Sequence, residues 1–310
     1  MAANLTIQIV GWNSAQELPA TLAALATIPR GEAIIRYIDN ASSDGSDELV
    51  KKLLPEADRM LLPHNFGFAG AHNRAMARCT TPFVMTCDPD VAIDWPGIKE
   101  LLATFQDPAV GAVQGKLYRT DGTSIDSAGI VLTRALNGHE RGAYEEDTGQ
   151  YDEEAELWAV TGAAGLYRMT ALQSIAEGDG QYFDEDFFAY KEDVDVGWRL
   201  RRAGWRVLYR PVLMGRHRRT LGRRGFLNWG LSWPAIWERL KSPRTRYSLR
   251  NWVWMIVKNV TLMQELKAGL FIAVRLVSFL VLSLLYPPLL GVWPEILRGI
   301  PTMLHKRSRP

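Results

Sequence analysis

Short apolar runs alternate with segments of helical periodicity through the first half of the chain. Strands are predicted at residues 5–10, 33–38, 59–62, 82–86 and 109–114. Helices are predicted at residues 15–27, from Asp47 onward, at 70–78 and at 98–105. Because alternating strands and helices are the pattern of βα units, the predicted fold class is α/β, with a mainly parallel sheet flanked by helices.

The pattern becomes less regular after residue 120. Residues 120–156 are polar, acidic and weakly periodic, and they are predicted to form a hairpin and a mobile loop, since such long loops are usually functional or disordered. A helix is then predicted at residues 194–203, closed by Gly204. The strand predicted at residues 205–209 is expected to stop at Pro211, because proline lacks the N–H that a sheet ladder uses.

Charge is distributed unevenly along the chain. Residues 1–195 carry 14 Lys and Arg against 31 Asp and Glu, whereas residues 196–310 carry 22 against 3. Tryptophans in the basic part lie among leucine, valine and isoleucine, which fits a bilayer interface better than the polar groove of a nucleic-acid-binding protein. A membrane surface is therefore the predicted partner of this end, and nucleic acid is not.

Residues 241–310 are expected to form basic, apolar membrane-association helices behind a first domain at residues 1–240. They carry 11 Lys and Arg against 2 Asp and Glu, and they include the apolar run 270–286, which Arg275 and two serines interrupt. The basic flanks argue against a single span by the positive-inside rule, and Pro287-Pro288 favours a bend. An in-plane or re-entrant hairpin is preferred, with a single span and a buried soluble bundle as alternatives.

The cysteine count and the N-terminal residues indicate the cellular compartment. The chain has two cysteines, Cys79 and Cys87, too few for a disulfide framework or a four-ligand zinc site. Residues 1–14 show neither the basic nor the apolar region of a secretory signal. The expected location is the cytoplasmic face of the cell membrane, as a peripheral, monotopic or re-entrant protein.

Asp88-Pro89-Asp90, at the end of a predicted buried strand, is the first candidate site. Proline holds Asp88 in an extended conformation, and residues i and i+2 of an extended segment point the same way. Both carboxylates can therefore converge on one divalent cation, Mg²⁺ or Mn²⁺, that bridges a diphosphate. The alternative is a simple turn.

Six carboxylates crowd the twelve residues 184–195. Unless a metal, a cation or protonation relieves them, these groups repel one another, and crowding can raise the pKa of a carboxylate toward that of a general base. Glu192 and Asp193 are the candidates for such a role. A helix N-terminus, where acidic side chains complement the helix dipole, is the alternative explanation.

A nucleotide site is indicated by Asp39, which ends the second predicted strand, where open α/β sheets bind ligands. No Gly-x-Gly-x-x-Gly follows the first strand and no Walker A motif occurs, so nicotinamide dehydrogenases and P-loop enzymes are disfavoured.

Several arginines could contact diphosphates, or else form a solvated or membrane-facing loop. They are Arg216, Arg218, Arg219, Arg223 and Arg224.

Five ordered motifs extend this interpretation. They are Gly-Trp-Asn-Ser at 11–14 with Ile-Asp-Asn-Ala-Ser-Ser-Asp-Gly-Ser at 38–46, Asn-Phe-Gly-Phe-Ala at 65–69, Asp-Pro-Asp at 88–90, Thr-Gly-Ala-Ala at 161–164, and the acidic segment 187–195. Together they resemble the family 2 inverting glycosyltransferases, and more closely their rhamnosyltransferase-like branch. The resemblance implies a GT-A fold, a nucleotide-sugar donor, a Mg²⁺ or Mn²⁺ ion, and a single displacement that inverts the anomeric centre.

The resemblance also implies roles for individual residues. Asp193 is the expected catalytic base. The implied donor-binding residues are Asn13, Asp39, Asn65, Gly67 and Asp88, and the implied acceptor-binding residues are Gly162, Ala163 and Glu192. The implied metal ligands are Asp90, Asp88 and His217. Many members of the family have Asn at the position of Asp88, and the sequence after His217 departs from the expected His-x-x-x-Ser, so a histidine paired with solvent is the alternative there.

These features predict transfer of a sugar, such as L-rhamnose from dTDP-rhamnose, to a polyprenyl-diphosphate-linked or other cell-surface glycan. One alternative is a sugar nucleotidyltransferase, which would have no use for a membrane tail. Another is a non-catalytic glycan-binding or scaffold relative, which would be expected to lack Asp90 or Asp193, and both are present. The sequence leaves open the sugar, the nucleobase, the linkage and whether the chain forms a homo-oligomer.

Overall fold

The computed structural model of the chain divides into two compact units. It describes residues 3–178, 180–219 and 240–307, apart from the side chains of Met263 and Glu265. The first unit comprises Met1–Val131, Glu140–Phe188 and Glu192–Leu221. The second comprises Leu132–His139, Ala189–Lys191 and Gly222–Pro310.

Strands and helices alternate in the first part of the chain. In order they are β1 (Leu5–Gly11), α1 (Leu18–Leu25), β2 (Ala33–Asp39), α2 (Ser46–Leu53), β3 (Asp58–Leu61), α3 (Gly67–Met76), β4 (Phe83–Cys87), β5 (Val91–Ile93), α4 (Trp95–Ala103) and β6 (Val110–Arg119). Then follow β7 (Ile125–Ser127), β8 (Ile130–Leu132), β9 (Gly138–Glu140), β10 (Ala155–Glu156), β11 (Leu166–Arg168), α5 (Met169–Ser174), α6 (Glu192–Arg202) and β12 (Arg206–His217).

The main sheet is mixed, in the order β10-β12-β6-β11-β4-β1-β2-β3. Strands β4, β1, β2 and β3 are parallel, and β11 is antiparallel to both β4 and β6. In the register, Gly11 lies opposite Asp39, and Ile9 lies opposite Cys87. The carboxyl ends of β1, β2 and β4 therefore meet at one edge of the sheet, where ligands of open α/β sheets bind.

Side chains alternate between two hydrophobic cores, one on each face of the sheet. Met85 of β4 packs in the core that contains Leu22 of α1 and Ile98 of α4. Its neighbour Val84 packs in the opposite core with residues of α3, α5 and α6, such as Leu200. This period of two is the expected consequence of a strand buried on both faces.

The structure shifts or adds several elements relative to the predictions. Helix α3 begins at Gly67, three residues before the predicted start, and α4 begins at Trp95 because the Asp94 side chain accepts a hydrogen bond from Gly97 N (2.9 Å). Short strand β5 and helix α5 were not predicted, since three and six residues are too few to display a period. The segment 120–156, predicted as a hairpin and a loop, contains the four short strands β7 to β10.

The predicted stop at Pro211 is wrong, since β12 continues from Arg206 to His217. Its pairing with β6 shifts register between Tyr209 and Leu213, so Pro211 lies in a bulge. A bulge is a place where a strand tolerates proline, because the missing N–H is not needed by the ladder. The added half of β12 carries His217, one of the predicted metal ligands.

The second unit contains α7 (Pro243–Asn259), α8 (Leu262–Leu285), a 3-10 turn (Pro287–Gly291) and α9 (Val292–Arg307). Trp252 is fully buried, and the Asn251 side chain donates to the carbonyls of Ala189 (2.9 Å) and Tyr190 (2.7 Å). Within the described residues, one helix is long and apolar enough to cross a membrane, at Leu266–Leu285, with a mean hydropathy of 2.4 and 11% of its length buried.

Candidate functional site

Asp88, Asp90 and His217 form a cluster in the first unit that could hold a metal ion. Their ligand atoms all lie within 4.8 Å of one another. The two aspartates follow β4, and antiparallel pairing of β5 with β12 places His217 opposite Val91, the residue after Asp90. The structure thus brings together the three metal ligands that the sequence predicted.

The charges of the aspartates and of His217 in this cluster shift one another's pKa values. Burial raises the pKa of Asp88 to about 6, and the charge of His217 acts in the opposite direction. Although burial opposes protonation of His217, hydrogen bonds to Asp126 and Asp90 raise its pKa to about 9. The two carboxylates beside the ring therefore favour the protonated form of His217.

Asp126, which the sequence analysis missed, lies on the other side of His217. Its Oδ2 is 2.8 Å from His217 Nδ1, while His217 Nε2 is 3.0 Å from Asp90 Oδ1. Arg219 Nε lies 2.9 Å from Asp126 Oδ1. Burial tends to raise the pKa of Asp126, but the hydrogen bond from His217 and the charge of Arg219 hold it below its ordinary value.

Glu140 is a second carboxylate that the sequence analysis missed. It accepts hydrogen bonds from Thr161 Oγ1 (3.0 Å), from Arg219 Nη2 (3.4 Å) and from the Ser127 hydroxyl. Burial raises its pKa, and the negative charge of Asp193 acts in the same direction. Both missed carboxylates come from the segment 120–156, whose weak periodicity gave no signal of inward-facing positions.

Asp193 lies in the first turn of α6 and contacts the predicted acceptor-side turn. Its Oδ2 accepts a hydrogen bond from Gly162 N (3.3 Å), and its Oδ1 accepts one from Val194 N (2.8 Å). The next residue of the turn, Ala163, accepts a hydrogen bond from Asp88 N (2.8 Å). One backbone turn, Gly162–Ala164, therefore links the metal-ligand cluster to Asp193, and the neighbouring Glu192 is 5% exposed.

Two predicted donor-binding residues, Asn13 and Asp39, meet at the turn after β2. Asp39 Oδ1 accepts from Ser42 N (2.7 Å), and Asn13 Oδ1 accepts from Ser43 N (2.8 Å). The Asp39 bond is of the local side-chain to backbone kind that Asx residues favour in turns, whereas the Asn13 bond joins residues 30 positions apart in the chain. They place both side chains at the edge of the sheet where β1 and β2 end, and contact with a donor stays a prediction.

Asn65 and Gly67 have a visible role in shaping the loop before α3. Asn65 Oδ1 accepts from Gly67 N (2.8 Å) and from Asn40 Nδ2 (2.9 Å). Gly67 has a φ of +71°, and a Cβ there would lie 2.3 Å from the carbonyl oxygen of Phe188. Only glycine permits this close approach, which joins the loop to the segment that precedes Glu192. Donor binding by Asn65 and Gly67 stays a prediction.

Arg199 supplies the cation that the crowded acidic segment requires. Its Nε is 2.8 Å from Asp195 and 3.6 Å from Glu177, and its other nitrogens donate to the carbonyls of Ile175 and Tyr182. The acidic group around it comprises Glu177, Asp184 and Asp195. This part of the carboxylate cluster is structural, which leaves Glu192 and Asp193 as the members next to the acceptor-side turn.

The predicted diphosphate-binding arginines are only partly described. Arg219 pairs with Asp126 and Glu140, and Arg218 donates to the carbonyl of Gln16 (3.3 Å). Arg216 is exposed. Arg223 and Arg224 lie outside the described residues.

The sequence of the chain matches a known family and known proteins. Residues 6–175 match glycosyl transferase family 2. Over 214 residues, 68% of its length, the chain is 27% identical to a poly-β-1,6-N-acetyl-D-glucosamine synthase of Staphylococcus aureus, and it spans 48% of that relative. Over 231 residues, 67% of its length, it is 26% identical to an N-acetylglucosaminyl-diphospho-decaprenol L-rhamnosyltransferase of Mycobacterium tuberculosis, and it spans 73% of it.

Solved structures confirm the expected GT-A fold. TarS 1–349 of S. aureus aligns with a TM-score of 0.52 at 14% identity, over 98% of this chain and 90% of TarS 1–349. The mannosyltransferase PcManGT of Pyrobaculum calidifontis, in complex with GDP-Man and Mn²⁺, aligns with a TM-score of 0.51 at 16% identity, over 99% and 87%. At these identities the likeness concerns the fold alone. The chain spans about half the length of the first curated relative.

We expect replacement of Arg199 by Met to cost about 3–5 kcal/mol of unfolding free energy, because it leaves buried carboxylates without their cation. The matched control is Arg206→Met, whose side chain is 45% exposed beside Asp107 and Glu156, and which should cost under about 1 kcal/mol. Urea unfolding at pH 7 measures both. Equal losses in the two variants would contradict the structural role given to Arg199.

Proposed function

Since the chain belongs to glycosyl transferase family 2, we propose that it transfers a sugar from a nucleotide-sugar donor to an acceptor hydroxyl, with inversion at the anomeric carbon. One observation carries the proposal: the turn Gly162–Ala164 contacts both Asp88, in the cluster of three metal ligands, and Asp193. The proposed leaving-group site and the proposed base therefore contact the same short backbone segment.

The donor set of Asp88, Asp90 and His217 suits a divalent cation. Carboxylate oxygens and one imidazole nitrogen match the ligand preferences of Mn²⁺, and carboxylates alone match those of Mg²⁺. The complex of PcManGT contains Mn²⁺. When bound, such an ion offsets the negative charge that develops on the departing nucleoside diphosphate.

Asp193 is the proposed general base. A sugar hydroxyl is a weak nucleophile, so its proton passes to the Asp193 carboxylate as the oxygen attacks C1. The new C1–O bond forms while the bond between C1 and the diphosphate oxygen breaks, and the diphosphate leaves on the opposite face. The hydrogen bonds from Gly162 N and Val194 N hold the carboxylate in place for this transfer.

We propose that the acceptor is a lipid-linked glycan, and that the donor sugar is L-rhamnose carried by dTDP. Support comes from the mycobacterial relative, whose name specifies L-rhamnosyl transfer to a decaprenol-linked acceptor. A lipid-linked acceptor is concentrated in the plane of the membrane, so an enzyme that binds the membrane meets it there.

The surface of α8 supports association with the cytoplasmic face of a membrane. One stripe of α8 contributes Ala268 and Ser283 to the interior of the second unit, while most of its leucine and valine side chains are exposed, among them Leu270 at 73% and Val277 at 60%. Near its start, Lys267 lines a groove with Arg134. An apolar helix surface with cations at its end matches the acyl region and the anionic headgroups of a bilayer.

A nucleotide-release screen tests the proposed function. The full chain is incubated with several sugar nucleotides and with membrane extract as acceptor, with and without EDTA. Acceptor-dependent, EDTA-sensitive release of a nucleoside diphosphate is expected. Release of pyrophosphate from a nucleoside triphosphate and a sugar phosphate would instead establish a nucleotidyltransferase, and absence of any turnover with all donors would favour a binding protein.

Asp193→Asn should lower turnover by a factor of about 100 or more, because an amide cannot accept the proton of the acceptor hydroxyl. Donor binding should remain, since the change preserves shape. Turnover is measured at saturating donor and acceptor. Asp186→Asn, an exposed acid of the same segment, serves as the control and should retain turnover. Near-normal turnover in Asp193→Asn would refute the assignment of the base.

Asp90→Ala should abolish metal-dependent binding of the nucleoside diphosphate, whereas Asp88→Asn should weaken it less. The reason is that an asparagine carbonyl oxygen still coordinates a hard cation, while alanine offers no ligand. Calorimetric titration of the nucleoside diphosphate with and without Mn²⁺ gives the order. Equal losses would show that the two carboxylates contribute equally to the chelate.

Membrane binding should depend on the exposed apolar surface of α8. Replacing Leu270 and Val277 together by Glu should reduce flotation of the full chain with vesicles containing anionic phospholipid, because charged groups oppose insertion. The matched control replaces Leu53 and Leu61, exposed side chains of the first unit, by Glu. We expect the control to float like the unsubstituted protein, and an equal loss in both variants would refute a specific role for α8.

The location of a C-terminal reporter distinguishes a hairpin in the membrane from a single span. For an in-plane or re-entrant hairpin, a reporter fused after Pro310 should stay in the cytoplasm, because the basic residues of α9 disfavour translocation. A reporter on the far side of the membrane would establish a single span instead.

A further inference from the structure

Both ring nitrogens of His217 face carboxylates. Nδ1 lies 2.8 Å from Asp126 Oδ2, and Nε2 lies 3.0 Å from Asp90 Oδ1. An imidazole binds a metal through one nitrogen, and its other nitrogen then donates its proton to a neighbouring acceptor. The two contacts divide these tasks: Nε2 points toward the proposed ligands Asp88 and Asp90, and Nδ1 points away from them.

Asp126 has the surroundings of a permanent hydrogen-bond acceptor. It is 2% exposed, and it lies beside the guanidinium groups of Arg219 (2.9 Å) and Arg119 (3.5 Å). Two adjacent cations favour its ionised form, which can only accept hydrogen bonds. Since His217 Nδ1 is within hydrogen-bond distance of this carboxylate, Nδ1 is the nitrogen that keeps its proton, and Nε2 is the nitrogen at which a divalent cation would replace a proton.

We propose that Asp126 is a positioning residue, which fixes the orientation and tautomer of His217 so that Nε2 faces the divalent cation held with Asp88 and Asp90. The inference rests on the metal site of the proposed function and adds a residue that acts through His217 rather than on the metal itself. Strand β7 supplies this residue, at the irregularity of its pairing with β6 between Ile125 and Ser127.

The test is a double-mutant cycle on metal affinity, with Asp126→Asn, His217→Ala and the double variant. Binding of Mn²⁺ alone is measured from the electron paramagnetic resonance signal of the free ion. Asp126→Asn should weaken Mn²⁺ binding by about 10- to 100-fold, as loss of the partner of a metal-binding histidine does in other proteins. If Asp126 acts through His217, the same substitution should have little further effect in the His217→Ala protein.

Asp47→Asn is the matched control, because it also removes a carboxylate from an arginine pair, that with Arg59 at 2.6 Å. It should leave Mn²⁺ affinity unchanged. An equal loss on Asp126→Asn in the presence and absence of His217 would overturn the inference, since it would reveal a general charge effect. Unchanged affinity in Asp126→Asn would overturn the inference alone, whereas failure of the unsubstituted protein to bind Mn²⁺ would overturn the proposed metal site with it.

A second measurement needs no substitution and therefore applies even if Asp126→Asn fails to fold. Protein labelled with ¹⁵N-histidine is titrated with Cd²⁺, and the ¹⁵N shifts of the His217 ring identify the metal-bound and the protonated nitrogen. We expect Cd²⁺ at Nε2 and a proton at Nδ1. Cadmium at Nδ1, or a His217 ring whose shifts do not respond to the metal, would overturn the inference.

Discussion

Antiparallel pairing of three residues of β5 with three of β12 brings His217 beside Asp90, and the proposed metal site depends on this pairing. This pairing places His217 opposite Val91, and so beside Asp90, although the two ligands are 127 positions apart in the chain. The strands approach so closely that a Cβ at Gly215 would lie 2.5 Å from the carbonyl oxygen of Ala92. The bulge at Pro211 is part of the same arrangement, because it lets β12 change register and continue to His217.

Two arginines, Arg199 and Arg219, offset the negative charge of the carboxylates around this centre, and each of them pairs with a separate group of acids. Arg199 of α6 pairs with Asp195 of the same helix and with Glu177. It also donates to the carbonyls of Ile175 and Tyr182, so it ties the helix that carries Asp193 to the preceding segment. In the second group, Arg219 pairs with Asp126 and Glu140. Burying each carboxylate alone would be costly, so the cations allow several acids to remain ionised within one small region. The acids that remain beside the turn Gly162–Ala164 are Glu192 and Asp193, and Asp193 is the proposed base.

Elements with a clear period were predictable from the sequence, and residues brought in by long-range pairing were not. Strand β1 and helix α1 repeat their apolar positions, and Asp88 and Asp90 follow a recognisable buried strand. Asp126 and Glu140 belong to strands of three residues, in which no period can be seen. Their role depends on contacts with residues 79 to 93 positions away, and local propensity carries no information about such contacts.

The turn Gly162–Ala164 connects the two parts of the proposed site. Through main-chain groups, it binds Asp88 on one side and Asp193 on the other. Main-chain contacts vary less in position than contacts between long side chains, since fewer torsions intervene. For an inverting displacement, the base and the leaving group must stand on opposite faces of the sugar, so their separation has to stay constant through turnover. The roles proposed for Asp88 and Asp193 need this constancy, and a buried turn that contacts the main chain of Asp88 and the carboxylate of Asp193 is suited to provide it.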